Sequence, residues 1–196
     1  MSVTERRITE TDILPPEQFA ARRAEYRRAL IPVKKNRRVE VGPFATFHFE
    51  NYDTMWLQVQ EMLHIEKGGA EQVPGELEAY NPLIPQRNEL IATLMIEIDD
   101  PARRTTVLLT LAGIEETVSV NVAGLSIKAV PTEYEDRTTP DGKTSSVHWL
   151  RFTFSPEAAA RFVSTEDRVL LEIAHPNYSH IAVLSAATRT ELAKDL

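Results

Sequence analysis

Glu61 and His64 stand three residues apart in "ENYDTMWLQVQEMLHIEK", a stretch with helical periodicity. On a helix that spacing aims a carboxylate and an imidazole the same way, so both could reach one metal ion. It is the Glu-x-x-His step of helical di-iron sites, which need two such steps and two further glutamates on four helices. Only one such step falls on a stretch that reads as helix, and long helices are too few. His175 and His180 bracket "PNYS" and, with Glu172, could pinch an ion at a hairpin. Packing at a strand end is the favoured reading there.

Glu97 lies within "LMIEI" and Glu172 within "LLEIA". Carboxylates so flanked on a strand are often partly buried, and buried carboxylates need partners. Arg151 in "WLRFTF" is a candidate partner for either. Cross-strand charge pairing on a solvated sheet face is favoured. The functional alternative is a polar pocket in the sheet that includes Glu50 and His48.

Eight cations stand in one segment: Arg22, Arg23, Arg27, Arg28, Lys34, Lys35, Arg37 and Arg38, against one acid, Glu25. The segment carries +7 in a chain of net charge −7, so the remainder carries −14. Arg and Lys so clustered could bind phosphates. Tyr26 is the segment's only aromatic, however, and no nucleic-acid module surrounds it. A solvated basic face, or one that meets an acidic partner or another subunit, is favoured over nucleic acid.

The absences narrow the chemistry. Among 196 residues there is no cysteine, which excludes disulfides, thiolate zinc, iron–sulfur ligation and thiol nucleophiles. The seven glycines are scattered, with no dinucleotide or phosphate-loop spacing. Neither G-x-S-x-G nor H-E-x-x-H occurs. Hydrophobic content of 42% and charged content of 26% are those of a folded globular chain. "MSVTERRITETD" has no apolar h-region, and "LIATLMI" and "HIAVL" are too short to span a bilayer. A cytoplasmic protein without membrane contact is expected.

The elements that must position these residues read as follows. "LPPEQFAARRAEYRRALIP" predicts a helix begun at Pro16 and ended by Pro32, with Phe19, Tyr26 and Leu30 on one stripe. Residues 1–14 are expected to form a loose lead. "RRVEVGPFATFHFEN" predicts two short strands about Gly42-Pro43, with Phe47 and Phe49 on one face and Thr46, His48 and Glu50 on the other. Asp53 can cap the next helix, whose apolar arc is Met55, Trp56, Val59, Met62 and Leu63. Leu57, Glu61 and His64 lie opposite that arc, where solvent is expected. After a helical turn, "PGELEAY", the prolines of "NPLIPQ" predict a bend with Asn81 in extended backbone. The Tyr80 hydroxyl is expected to reach Glu61 or Glu97.

"NELIATLMIEID" reads as a strand, and "DPARRTTVLLTLAGI" as a helix from an Asp100 cap to Gly113. "ETVSVNVAGLSIKAVPTEYEDR" and "KTSSVHWLRFTF" flank "TTPDG" as one long hairpin. A helix capped by Ser155, two strands around "PNYS" and a closing helix follow. Runs of strands and helices do not alternate regularly. One α+β domain over residues 1–196 is predicted, with a largely antiparallel sheet partly covered by helices.

The blocks "DILPPEQF", "KKNRRVEVGP", "FENYDTMWLQVQEM", "AYNPLIPQRNELIATLMIEI" and "HPNY" together resemble a bacterial domain-of-unknown-function family, number 3501. The resemblance runs over nearly the whole chain, with "FEN", "QVQEM" and "YNPLIP" its most specific parts. Its matching positions include Glu50, Asn51, Gln60, Glu61, Tyr80, Asn81 and Pro82. It implies no fixed histidine at position 64, which counts against the metal pair. It carries no assigned activity, so it implies no catalytic residues. It does imply a setting beside rubrerythrin-like and iron–sulfur proteins, hence iron or oxygen-stress redox metabolism, although such association is not mechanism.

Two functions are therefore expected in competition. The first is an accessory protein without metal or cofactor that binds an acidic protein partner or a second copy through the basic segment. The second is a small-molecule or metal-binding enzyme whose polar pocket joins Glu50, Asn51, Gln60 and Glu61 to Tyr80, Asn81 and Glu97.

Overall fold

The computed structural model describes residues 5–132 and 137–196. Among them eight strands form one antiparallel sheet. They are β1 (Arg38–Val41), β2 (Ala45–Phe49), β3 (Glu89–Ile96), β4 (Val118–Val122), β5 (Leu125–Pro131), β6 (Val147–Thr153), β7 (Val169–His175) and β8 (Tyr178–Val183). The spatial order is β1-β2-β3-β6-β5-β4-β7-β8. The helices are α1 (Pro16–Asn36), α2 (Tyr52–Glu66), α3 (Val73–Tyr80), α4 (Pro101–Leu108), α5 (Pro156–Ser164) and α6 (Ala186–Leu192). The α+β class and the antiparallel sheet are as the sequence predicts.

The sheet curls until β8 lies against β1, so the fold is nearly a barrel. Tyr178 makes the closure with its side chain. Its hydroxyl donates to the Val41 carbonyl at 2.7 Å and accepts from the Phe44 and Ala45 amides at 3.2 and 3.1 Å. The approach is so close that a Cβ on Gly42, whose φ is +74°, would stand 2.6 Å from the Tyr178 oxygen and the His180 ring. Only glycine fits both that backbone and that space.

Alternation on the strands builds the interior. Phe47, Phe49, Leu90, Ala92, Leu94, Leu150, Phe152, Val120, Leu171 and Ile173 are all buried in one core. A second, smaller cluster lies on the outer face of β3, where Ile91 meets Met55 and Val59 of α2, Leu83, Ile84 and Ile8. The lead is therefore not loose from Glu5 onward. Ile8 is buried, its backbone amide and carbonyl both bond to the Asn81 side chain, and the Trp56 ring nitrogen donates to the Asp12 carbonyl at 2.8 Å.

Several local expectations need correction. α1 does not stop at Pro32 but runs on to Asn36. Pro32 is exposed, so water can satisfy the carbonyl that its missing N–H abandons. Asn51, not Asp53, caps α2, in a reciprocal box with Thr54. Asn81 is helical (φ −59°, ψ −37°) in spite of Pro82, and its side chain bonds to Ile8. The first arm of the expected long hairpin is two strands, β4 and β5, because Ala123-Gly124 forms a tight turn with both φ values positive (45° and 83°). Part of the second loop, residues 133–136, lies outside the described residues. The caps at Asp100 and Ser155 are as expected.

Candidate functional site

α1 lies across α2, on the side that the sequence left to solvent. Leu57 is buried beneath it. Phe19 sets its ring edge against His64 at 5.8 Å and stacks on Tyr26, which meets Trp56 at 5.1 Å. Arg23 of α1 grips both oxygens of Glu61, the closest contact 2.7 Å. That hydrogen bond holds the Glu61 carboxyl below its ordinary value, against the opposing effect of burial. Glu61 and His64 are thus the seam between two helices. Among the described residues no three His, Cys, Asp or Glu side chains gather as metal ligands.

The eight cations separate into two groups. Arg37 is 2% exposed and is no surface group. It donates to the Phe49 and Glu50 carbonyls at 2.8 Å each and pairs with Asp195 and, at 3.3 Å, with Glu191. It welds the end of α1 to α6, which corrects its expected role in partner binding. Arg22 pairs with Glu25, Arg23 with Glu61, and Arg38 with Glu40 and Glu97. Arg27, Arg28, Lys34 and Lys35 make no ion pair among the described residues.

Those four occupy one arc of α1, roughly 120° wide at 100° per residue. Ile31 stands in the middle of the arc and is 63% exposed. Ala24, Arg27, Arg28, Ile31 and Lys34 line a shallow depression of about 480 Å³ whose floor is Leu57. The sequence reading found the cations and missed Ile31. The available signal was its place four residues after Arg27 and three before Lys34.

The predicted ligand residues do not converge on one pocket. Glu50 is closed off, its oxygens accepting from Thr54 and Thr93 at 2.7 Å each. Asn51 is the α2 cap, and Asn81 is occupied by Ile8. Glu97, half exposed, accepts from Thr46 at 2.5 Å and faces Arg38. Tyr80 meets Gln58 at 3.5 Å and not Glu61 or Glu97. Arg151 pairs with Glu89, not with Glu97 or Glu172, and holds the Pro82 carbonyl at 2.9 Å. Glu172 accepts from Asn121. His175 donates to the Ala112 carbonyl and accepts from the Asn177 amide, while His180 packs its ring on Tyr178.

Gln60 is the exception. It is 2% exposed, its Nε2 has no hydrogen-bond partner, and it lines a cavity of about 650 Å³ between the lead, α1 and α2. Ile13, Leu14, Phe19, Leu63 and Val73 are among its apolar lining residues.

Among the described residues no helix is long and apolar enough to cross a membrane. No curated protein matches the chain. A crystal structure from Burkholderia pseudomallei K96243, described as a novel protein of unknown function, is similar throughout. The two share 32% identity over 96% of this chain and 98% of that one, with a TM-score of 0.88. A family model described as "Protein of unknown function (DUF3501)" matches residues 7–196, so the chain belongs to that family.

Proposed function

We propose that the protein is a cytoplasmic accessory protein that docks an acidic protein partner on the solvent face of α1. The observation that carries this reading is the exposed Ile31 ringed by Arg27, Arg28, Lys34 and Lys35, none of them held by an acid among the described residues. An apolar centre with a charged rim is the anatomy of a protein interface, whereas a phosphate-binding face has no use for an exposed isoleucine over a leucine floor. The closed hydrogen bonds around Glu50 and Asn81 support the same reading, because they engage those groups in holding the fold.

The family resemblance puts rubrerythrin-like and iron–sulfur proteins first among the partners to assay, in an iron or oxygen-stress redox setting. Biolayer interferometry against purified acidic members of that set is the test. Binding should weaken at least about tenfold with Arg27→Glu plus Lys34→Glu, and again when salt is raised, since steering by exposed charges is screened beyond about 8–10 Å. Binding that ignores both changes, or tight RNA binding abolished by the same variants, would refute the reading.

A further inference from the structure

We infer that the exposed face of the α1–α2 pair binds a second copy of this chain, turned end for end, in a closed two-fold dimer. The inference rests on the docking face proposed above and names a second occupant for it. Among the described residues the two most exposed large apolar side chains are Ile31, 63% exposed, and Ile65, 62% exposed. Ile31 of α1 stands among the unpaired cations. Ile65 of α2 begins an acidic stretch. From Ile65 to Glu78 there are four acids, Glu66, Glu71, Glu76 and Glu78, against Lys67, a net charge of −3. Glu66 and Glu71 are exposed and make no ion pair among the described residues.

The geometry makes the two ends reciprocal. Phe19 meets His64, Arg23 meets Glu61 and Tyr26 meets Trp56, so α1 and α2 run antiparallel. Ile31 lies beyond Arg23 on α1 and Ile65 beyond Glu61 on α2, which places them at opposite ends of the pair, about 18 Å apart along it. Around its helix Ile31 stands about 80° from Arg23, and Ile65 about 40° from Glu61, in the same sense. In antiparallel helices equal senses turn to one side, so both isoleucines leave the Arg23–Glu61 seam on one face. A second copy given half a revolution about an axis across the pair, close to that seam, sets Ile31 of each copy against Ile65 of the other. The cations around Ile31 then meet the acids beside Ile65 twice, through one symmetry operation. Two apolar centres with rims of opposite sign supply burial and steering together. An outside acidic protein must displace the second copy to reach Ile31.

Sedimentation equilibrium of the full chain over a concentration series tests this. The wild type should pass reversibly from monomer to dimer and go no further, with association weakened at least about tenfold in high salt. Arg27→Glu plus Lys34→Glu, and separately Glu66→Lys plus Glu71→Lys, should each weaken the dimer at least about tenfold. An equimolar mixture of the two variants should dimerise again, because each then offers the charge that the other has lost. Circular dichroism checks that both are folded, and Ile65→Ser, which alters no charge, should weaken the wild-type dimer if either is not. The Glu66→Lys plus Glu71→Lys variant keeps its basic face, so it should still bind an outside acidic partner. Failure of that binding beside intact self-association would sink the outside partner and leave the dimer standing. A wild type that stays monomeric, a dimer indifferent to these substitutions, a mixture that stays monomeric, or species that grow beyond the dimer would overturn the inference.

Discussion

The guanidinium of Arg23 spans both carboxylate oxygens of Glu61, joining the middle of α1 to the middle of α2 at 2.7–3.0 Å. The pair fixes the rotation of α1 about its own axis. At 100° per residue Arg23 stands about 20° outside the arc, so the arc holding Arg27, Ile31 and Lys34 flanks this seam and borders Leu57 of α2.

Arg23 lowers the Glu61 pKa, so the stabilisation from this pair is complete above the ordinary carboxylate range. It is lost as pH falls through the folded-state value. A carboxyl-carbon NMR titration should place the Glu61 midpoint below that of a free glutamate, and Arg23→Gln should move it back up. An unchanged midpoint in the variant would show that the contact does not persist in solution.

His148 supplies a second pH dependence, of opposite chemistry. It is 1% exposed, donates from Nε2 to the Ser145 carbonyl, and leaves Nδ1 without a hydrogen bond, 3.7 Å from a Glu115 oxygen. Burial lowers its pKa, with Glu115 pulling the other way. The unfolded chain therefore binds the proton more readily than the folded one. Stability should be full above about pH 6.5, the ordinary histidine value, and fall as pH drops below it. Urea melts from pH 7.5 to 5 should show that loss, and His148→Gln should flatten it. An equal slope in both proteins would remove His148 from the account.

Tyr178 should matter more than a surface tyrosine does. Tyr178→Phe keeps the ring and strips the Val41 carbonyl and the Phe44 and Ala45 amides of their shared partner. The expected loss is about 1–3 kcal/mol in chemical denaturation. Gly42→Ala should be at least as damaging, since it adds backbone strain to the clash with the Tyr178 oxygen. Wild-type stability in both variants would mean that the barrel does not depend on this closure.

The arginines of the basic segment should divide by role. Arg37→Ala leaves Asp195, Glu191 and two carbonyls without their buried cation, a loss of about 3–5 kcal/mol. Burial already raises the Asp195 pKa in spite of Arg37, so removing Arg37 should raise it further. Arg27→Ala should move the melting temperature by no more than about 2 °C. Equal effects would contradict the division.

Much of this fold is legible in local chemistry. The Gly42-Pro43 turn, the alternation along β3, and the caps at Asp100 and Ser155 each depend on a few neighbouring residues, and the sequence shows them directly. What it conceals depends on distant partners. Ala123 in a left-handed conformation gives no turn signal, so β4 and β5 read as one strand. Nothing near Pro32 announces that α1 continues. The polar side of α2 looks solvated until α1 is laid on it. The site shows the same limit. The cluster of cations is plain in the chain, but which of them are held by acids depends on Glu61, Asp195 and Glu191, between 38 and 158 residues away. Gln60 looks like any surface glutamine, yet it is buried.

The docking face is tested most directly by alanine substitution within and just outside the arc, read as affinity for one purified acidic partner of the rubrerythrin-like or iron–sulfur class. Ile31→Ala and Lys34→Ala should each weaken the complex about fivefold or more, as central contacts of an interface do. Arg22→Ala, on the same helix but already paired with Glu25, should leave it unchanged. If Arg22→Ala weakens binding as much as Lys34→Ala while Ile31→Ala has no effect, the chain attracts its partner through bulk charge alone and the proposed face is wrong.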